Sequence, residues 1–101
     1  MEITVQEIKQ KLDSNEDFIF IDVREQYEYD EFNLKAQIIP LNDLITNLDR
    51  LEDNKEDEIV LHCRSGQRSA MAQQYMIAAG FTNVKNLVGG VLAWQEAFPE
   101  T

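Results

Sequence analysis

Ile59-Val60-Leu61-His62-Cys63-Arg64-Ser65-Gly66-Gln67-Arg68-Ser69 changes character at one residue: a short apolar run leads straight into Cys63, and a polar loop with a glycine and two arginines follows. A continuous apolar run of this length is the pattern of a strand covered on both faces, as in a parallel sheet with helices on each side. After the loop, Ser69 to Ala79 places Met71, Ala72, Tyr75, Met76 and Ala79 on one apolar face, and Gly80 stands where a helix ends. Strand, loop and helix in this order predict an α/β architecture with Cys63 at the carboxyl end of a strand.

The same alternation extends outward. Phe18-Ile19-Phe20-Ile21 is a second buried strand, ending at Asp22-Val23-Arg24, and Gln37-Ile38-Ile39-Pro40 is a short one closed by proline. Phe81, Val84 and Leu87 mark a further strand, and Gly89-Gly90 opens a terminal amphipathic helix with Val91, Trp94 and Phe98. Thr4-Val5-Gln6-Glu7 has capping-box spacing, so a helix is expected over residues 5 to 12. Residues 25 to 35 read as one helical turn and a loop, with Tyr27, Tyr29 and Phe32 packing over the sheet edge. From Asn42 to Leu51, Leu44, Ile45, Leu48 and Leu51 predict a helix with Asn42 as its cap, and Glu52 to Glu58 an exposed loop. No hairpin signal interrupts the series, so the sheet is expected to be mostly parallel, with about five short strands. Ligands of such sheets bind at the carboxyl ends of the strands, which brings Asp22 and Cys63 to one edge.

The 101 residues fit one domain over 1–101, and 44% hydrophobic content provides a core. At this size folding buries roughly two-thirds of the unfolded surface, so no disulfide or metal is needed. Cys63 is the only cysteine, which excludes an internal disulfide, a Cys-x-x-Cys redox pair and a multi-cysteine zinc site. No cofactor or metal is expected. The formal charge of -10 argues against nucleic acid and anionic membranes as partners. With no basic leader at Met1-Glu2-Ile3-Thr4 and no apolar run near the roughly 18 residues of a membrane span, a cytoplasmic protein is expected.

Within this acidic chain the loop is a local exception, since no Asp or Glu lies between Ile59 and Gln95. Gly66 permits a tight curve in which backbone N–H groups converge in front of the sulfur, and the following helix directs its positive end there. Arg64 and Arg68 add positive charge, so the Cys63 thiol is expected to ionise below its ordinary pKa. Those donors can also hold an added outer sulfur or an anionic donor such as thiosulfate. His62 is the only histidine, but at a strand end it alternates away from Cys63, which favours an orienting role over that of general base.

Ile21-Asp22-Val23-Arg24-Glu25, Ile39-Pro40-Leu41, His62-Cys63-Arg64-Ser65-Gly66-Gln67-Arg68-Ser69 and Gly89-Gly90-Val91-Leu92-Ala93-Trp94 resemble, in this order, the signature segments of single-domain rhodaneses, over nearly the whole chain. The resemblance implies a parallel five-stranded sheet flanked by helices on both faces and a sulfurtransferase that carries sulfane sulfur as a Cys63 persulfide. It implies that Arg64, Ser65, Gly66, Gln67 and Arg68 hold the substrate, while Asp22, Arg24, Ser69, Gly89 and Gly90 support the loop. The expected partners are a small sulfur donor and a thiol or cyanide acceptor, or a protein in either role. Phe32-Asn33-Leu34-Lys35-Ala36 departs from the Gly-His-Ile-Pro-Gly-Ala stretch of many members, which bears on partner preference because this loop rims the site in the family.

Two other readings are compared with this one. Phosphatases and arsenate reductases of related fold space Cys and Arg by five intervening residues; here that position is Ser69, and Arg68 closes a shorter loop suited to sulfur. A protein-to-protein sulfur carrier, or a regulatory module with little turnover of small donors, is the stronger alternative. Without a second cysteine, a Cys63 persulfide cannot resolve internally and must discharge to an outside acceptor.

Overall fold

The computed structural model describes residues 1–100. Five strands, β1 (Glu2–Ile3), β2 (Ile19–Asp22), β3 (Gln37–Ile38), β4 (Ile59–His62) and β5 (Val84–Leu87), form one sheet in the order β1-β5-β4-β2-β3. Every pairing is parallel. The helices are α1 (Val5–Asp13), α2 (Gln26–Glu31), α3 (Leu41–Thr46), α4 (Gln67–Ala78) and α5 (Gly90–Ala97). None of them is long and apolar enough to cross a membrane.

Strand alternation divides the core into two layers. Ile21, Ile59, Leu61 and Val84 pack with Leu44 of α3 and Ala72 and Met76 of α4. On the other face Val60 and Leu87 pack with Val5 and Ile8 of α1 and Trp94 of α5. All four residues of β4, the central strand, are buried: the apolar run Ile59-Val60-Leu61 and, after it, His62. The chain leaves β2 toward β3 at one edge and leaves β4 toward β5 on the other side. A crevice therefore opens between the carboxyl ends of β2 and β4. Asp22 pairs in register with His62 there, and Cys63 is the next residue.

The Thr4 box is formed as expected: Glu7 N–H donates to Thr4 Oγ1 at 3.1 Å and Thr4 N–H to Glu7 Oε1 at 2.9 Å. The segment from Asn42 to Leu51 is not one helix. α3 is capped by Pro40 instead of Asn42, and a 3₁₀ segment, Leu48–Asn54, follows a break at Asn47. Thr46 Oγ1 bonds the carbonyl of Asn42 at 2.8 Å and Asn47 Nδ2 that of Asp43 at 2.8 Å, local bonds that compete with continuation of the helix. The acidic loop is also less exposed than expected, because Glu58 is half-buried between Lys11 at 2.8 Å and Lys85 at 2.6 Å.

α4 starts two residues before Ser69 and turns a different face inward. Ser69, Ala72, Gln73 and Met76 are buried, whereas Met71 and Tyr75 are about half exposed. Gln73 explains the rotation: its amide donates to the carbonyls of Met1 at 2.6 Å and Val84 at 2.9 Å, which ties β1 to the sheet. β1 itself has two residues, too few to show a period. Of the three aromatics near the edge, Tyr29 donates to the Ala36 carbonyl at 3.0 Å and Phe32 packs against the α1/α5 layer. Tyr27 instead stands 67% exposed, since α2 is a six-residue helix with no buried position.

Candidate functional site

The loop after β4 wraps around one sulfur. Gly66 adopts φ +101° at the N-terminus of α4, a left-handed conformation favouring glycine. The turn directs Gly66 N–H to Cys63 Sγ at 3.1 Å; Ser69 adds its N–H and its hydroxyl, each at 3.4 Å. Cys63 is itself only 1% exposed and packs with Ile21, Val23 and Leu61 on its inner side.

The inward aim of these N–H groups depends on carbonyls held outward. Val91 N–H donates to the Cys63 carbonyl and Leu92 N–H to that of Arg64, both at 3.0 Å, so the first turn of α5 fixes the first two peptides of the loop. Asn86 Nδ2 holds the Gly66 carbonyl at 3.2 Å. Gly90 is the point of closest approach: at φ +56°, a Cβ there would lie 2.7 Å from the Arg64 carbonyl oxygen and against that of Cys63. The Gly89-Gly90 turn thus serves as the floor of the loop.

Burial by itself pushes the Cys63 thiol up, but the Ser69 hydroxyl and the N–H groups of Ser69, Gly66 and Ser65 outweigh it, and the pKa falls below the ordinary thiol value. The sulfur is therefore buried among polar donors, unlike an inert core cysteine.

The arginines are disposed differently from one another. Arg64 is exposed, as are Ser65 and Gln67. Arg68 is engaged by Glu28 through two parallel bonds, Nη1 to Oε1 at 2.7 Å and Nη2 to Oε2 at 2.9 Å. The hydrogen bond and charge of the Glu28 carboxylate, with a smaller contribution from the negative charge of a Cys63 thiolate, raise the Arg68 guanidinium pKa above its ordinary value. Arg24 is buried against Asp22, with Nε at 3.0 Å from Oδ1 and Nη2 at 2.8 Å from Oδ2, and it also donates to the carbonyl of Phe32 at 2.7 Å. That pair joins the end of β2 to the 32–36 loop but does not reach the sulfur. His62 is fully buried, with Nε2 3.6 Å from Asp22 Oδ2 and Nδ1 3.5 Å from the Cys63 carbonyl oxygen. Desolvation lowers its pKa to about 4, so it is neutral near pH 7.

The loop residues Cys63, Gly66 and Ser69 thus come together at the sulfur, Gly89 and Gly90 lie beneath them, and Asp22 and Arg24 form a neighbouring buried pair. Glu28 and Asn86 are neighbours of the loop, bonded to Arg68 and to Ser69 and Gly66, that sequence reasoning missed. Each left a signal: Glu25 and Glu28 have capping-box spacing, and Asn86 interrupts the apolar pattern of β5 with a residue disfavoured in strands.

The family model for the rhodanese-like domain matches residues 4–97. The "Putative sulfur carrier protein YrkF" of Bacillus subtilis is 39% identical over 94 residues, which cover 92% of this chain and 50% of that protein. This chain thus spans half the length of that relative. A protein named "Sulfurtransferase" from Allochromatium vinosum is 32% identical over 99 residues, covering 92% of this chain and 86% of its own length. Among solved structures, a rhodanese-like domain protein from Staphylococcus aureus superposes with a TM-score of 0.77 at 33% identity, covering 93% of this chain and 91% of that one. With the parallel sheet and the cysteine loop at its centre, this chain belongs to the rhodanese-like domain family of sulfurtransferases and sulfur carriers.

Proposed function

We propose that the protein is a sulfurtransferase that carries sulfane sulfur as a persulfide on Cys63. The observation that carries this reading is the convergence of Gly66 N–H, Ser69 N–H and Ser69 Oγ on one buried sulfur. Such donors favour a thiolate and can hold the negative charge of a terminal persulfide sulfur in its place. In the first step the thiolate attacks the outer sulfur of thiosulfate, the S–S bond of the donor breaks, and sulfite leaves with the electron pair. A thiolate or cyanide then attacks the terminal sulfur of the persulfide; the Cys63–S bond breaks and the thiolate returns. A persulfide also answers the burial of Cys63, because an S–S bond of about 2.05 Å carries the transferable atom outward toward Arg64, Ser65 and Gln67.

In this reading Arg64, Ser65, Gly66, Gln67 and Arg68 bind the donor, and Asp22, Arg24, Gly89 and Gly90 hold the loop. A reducing compartment such as the cytoplasm supplies suitable thiol acceptors. Delivery to another protein is the second reading, favoured by the single cysteine, which leaves the persulfide no internal partner.

Intact-protein mass spectrometry after incubation with thiosulfate should show one added sulfur, absent in Cys63→Ser and removed by cyanide. A wild-type protein that gains no sulfur from thiosulfate or a low-molecular-weight persulfide, and forms no thiocyanate, would sink this assignment.

A further inference from the structure

We propose that Glu28 sets the donor preference of the site: by holding Arg68 in a two-point ion pair, it weakens the hold of that arginine on dianionic thiosulfate and favours persulfides, whose transferable end carries at most one negative charge. This rests on the reading of Cys63 as the sulfur acceptor and goes beyond it by naming the donor class.

The geometry leaves Arg68 little freedom. Both terminal nitrogens meet both carboxylate oxygens, a fork-to-fork arrangement that is among the stronger charge-assisted contacts. Glu28 is anchored in turn, since its Oε1 also accepts the N–H of Glu25 at 3.0 Å, closing the cap of α2. Arg24 cannot replace Arg68, because Asp22 already neutralises it in the interior. Arg64 remains as an exposed cation. Beside the loop, a cleft of about 160 Å³ is lined by Glu28 and Glu31, by Arg24 and Arg64, and by Phe32, Val91, Leu92 and Gln95. Since Asp22 already pairs with Arg24, Arg64 is the cation left there against the two carboxylates, which gives a small dianion little net attraction.

Arg68 also holds the Glu28 carboxyl down, to about 2, so Glu28 is charged throughout the physiological range and no ordinary pH change frees the arginine. A thiosulfate donor that draws on Arg68 must either break this pair or bind against the carboxylate. A hydropersulfide meets neither obstacle: Cys63 thiolate attacks its terminal sulfur, the donor S–S bond breaks, and the donor thiolate leaves with the electron pair, giving a Cys63 hydropersulfide.

The test is single-turnover sulfur loading of the full chain by thiosulfate and by cysteine persulfide. Glu28→Gln keeps an oxygen to accept the Glu25 N–H but removes the charge. Its thiosulfate-to-persulfide rate ratio should rise about tenfold, through a lower thiosulfate KM. Glu28→Asp, which keeps the charge, should stay close to the wild-type ratio, and so should Glu52→Gln, a remote exposed control. An unchanged ratio in Glu28→Gln, or an equal rise in Glu28→Asp or Glu52→Gln, overturns the proposal while sulfur loading itself still stands. No loading of wild type by either donor overturns the underlying reading as well.

Discussion

Ser69 Oγ lies 3.4 Å from Cys63 Sγ, and the same hydroxyl lies 2.5 Å from Asn86 Oδ1. Its single hydrogen faces two acceptors. Asn86 is oriented by its bond to the Gly66 carbonyl, so its oxygen is the atom that meets Ser69. When Cys63 is a thiol, the S–H can donate to Ser69 Oγ while the hydroxyl donates to Asn86. When Cys63 is a thiolate, the hydroxyl hydrogen is best spent on the sulfur. Ser69→Ala should therefore raise the thiol pKa, because burial then works against fewer donors. The alkylation rate plotted against pH should move to higher pH. Loss of the partner of Asn86 Oδ1 should cost about 1–3 kcal/mol in urea unfolding.

Gly90→Ala should fail for a different reason. The methyl group would press on the carbonyl oxygens of Cys63 and Arg64 at a backbone conformation that already strains an L-residue. We expect a loss of at least about 3 kcal/mol by thermal or urea unfolding, with sulfur loading reduced in the molecules that remain folded. A variant with wild-type stability would show that the approach of α5 to the loop is looser than described.

Asp22→Asn should leave the Arg24 guanidinium buried at 4% exposure without a counter-charge. The expected cost is about 3–5 kcal/mol, measured by denaturant unfolding at neutral pH. Because Asp22 does not touch Sγ, the thiol titration in the folded fraction should change less than in Ser69→Ala.

The pH dependence of stability should have two separate windows. His62 has a folded pKa of about 4 against an ordinary 6.5, so the unfolded chain takes up its proton first. Its contribution is intact above pH 6.5 and lost as pH falls toward 4, a loss on the order of 3 kcal/mol. His62→Gln should flatten that window. Glu28 has a folded pKa of about 2 against 4.5, so its contribution is present above pH 4.5 and lost as pH falls toward 2. Glu28→Gln should flatten the lower window and leave the upper one. Unfolding free energies measured at intervals from pH 7 to pH 2 would separate the two.

Legibility followed the length and purity of each pattern. Residues 59–61 and 19–21 are unbroken apolar runs, each closed by a buried polar residue, and both lie in strands of the sheet. α4 is nearly correctly placed along the chain, and Ala72 and Met76 of the expected face are buried, but the face is rotated, because buried Ser69 and Gln73 are polar and half-exposed Met71 and Tyr75 are not. Hydropathy cannot register a polar side chain whose bonds are satisfied inside the protein. β1 escaped notice because two residues carry no period, and the helix from Asn42 was overextended because Thr46 and Asn47 bond locally.

From sequence alone, the order of strands and helices, the place of Cys63 after a buried strand and the glycine-dependent curve of its loop could be determined, because these rest on local periodicity and on residues close in the chain. Only the tertiary structure decided what surrounds the sulfur and its arginine. Arg68 meets Glu28 across forty positions and Ser69 meets Asn86 across seventeen. Such contacts depend on how β4, β5, α2 and α4 converge at one edge of the sheet, which no local pattern specifies.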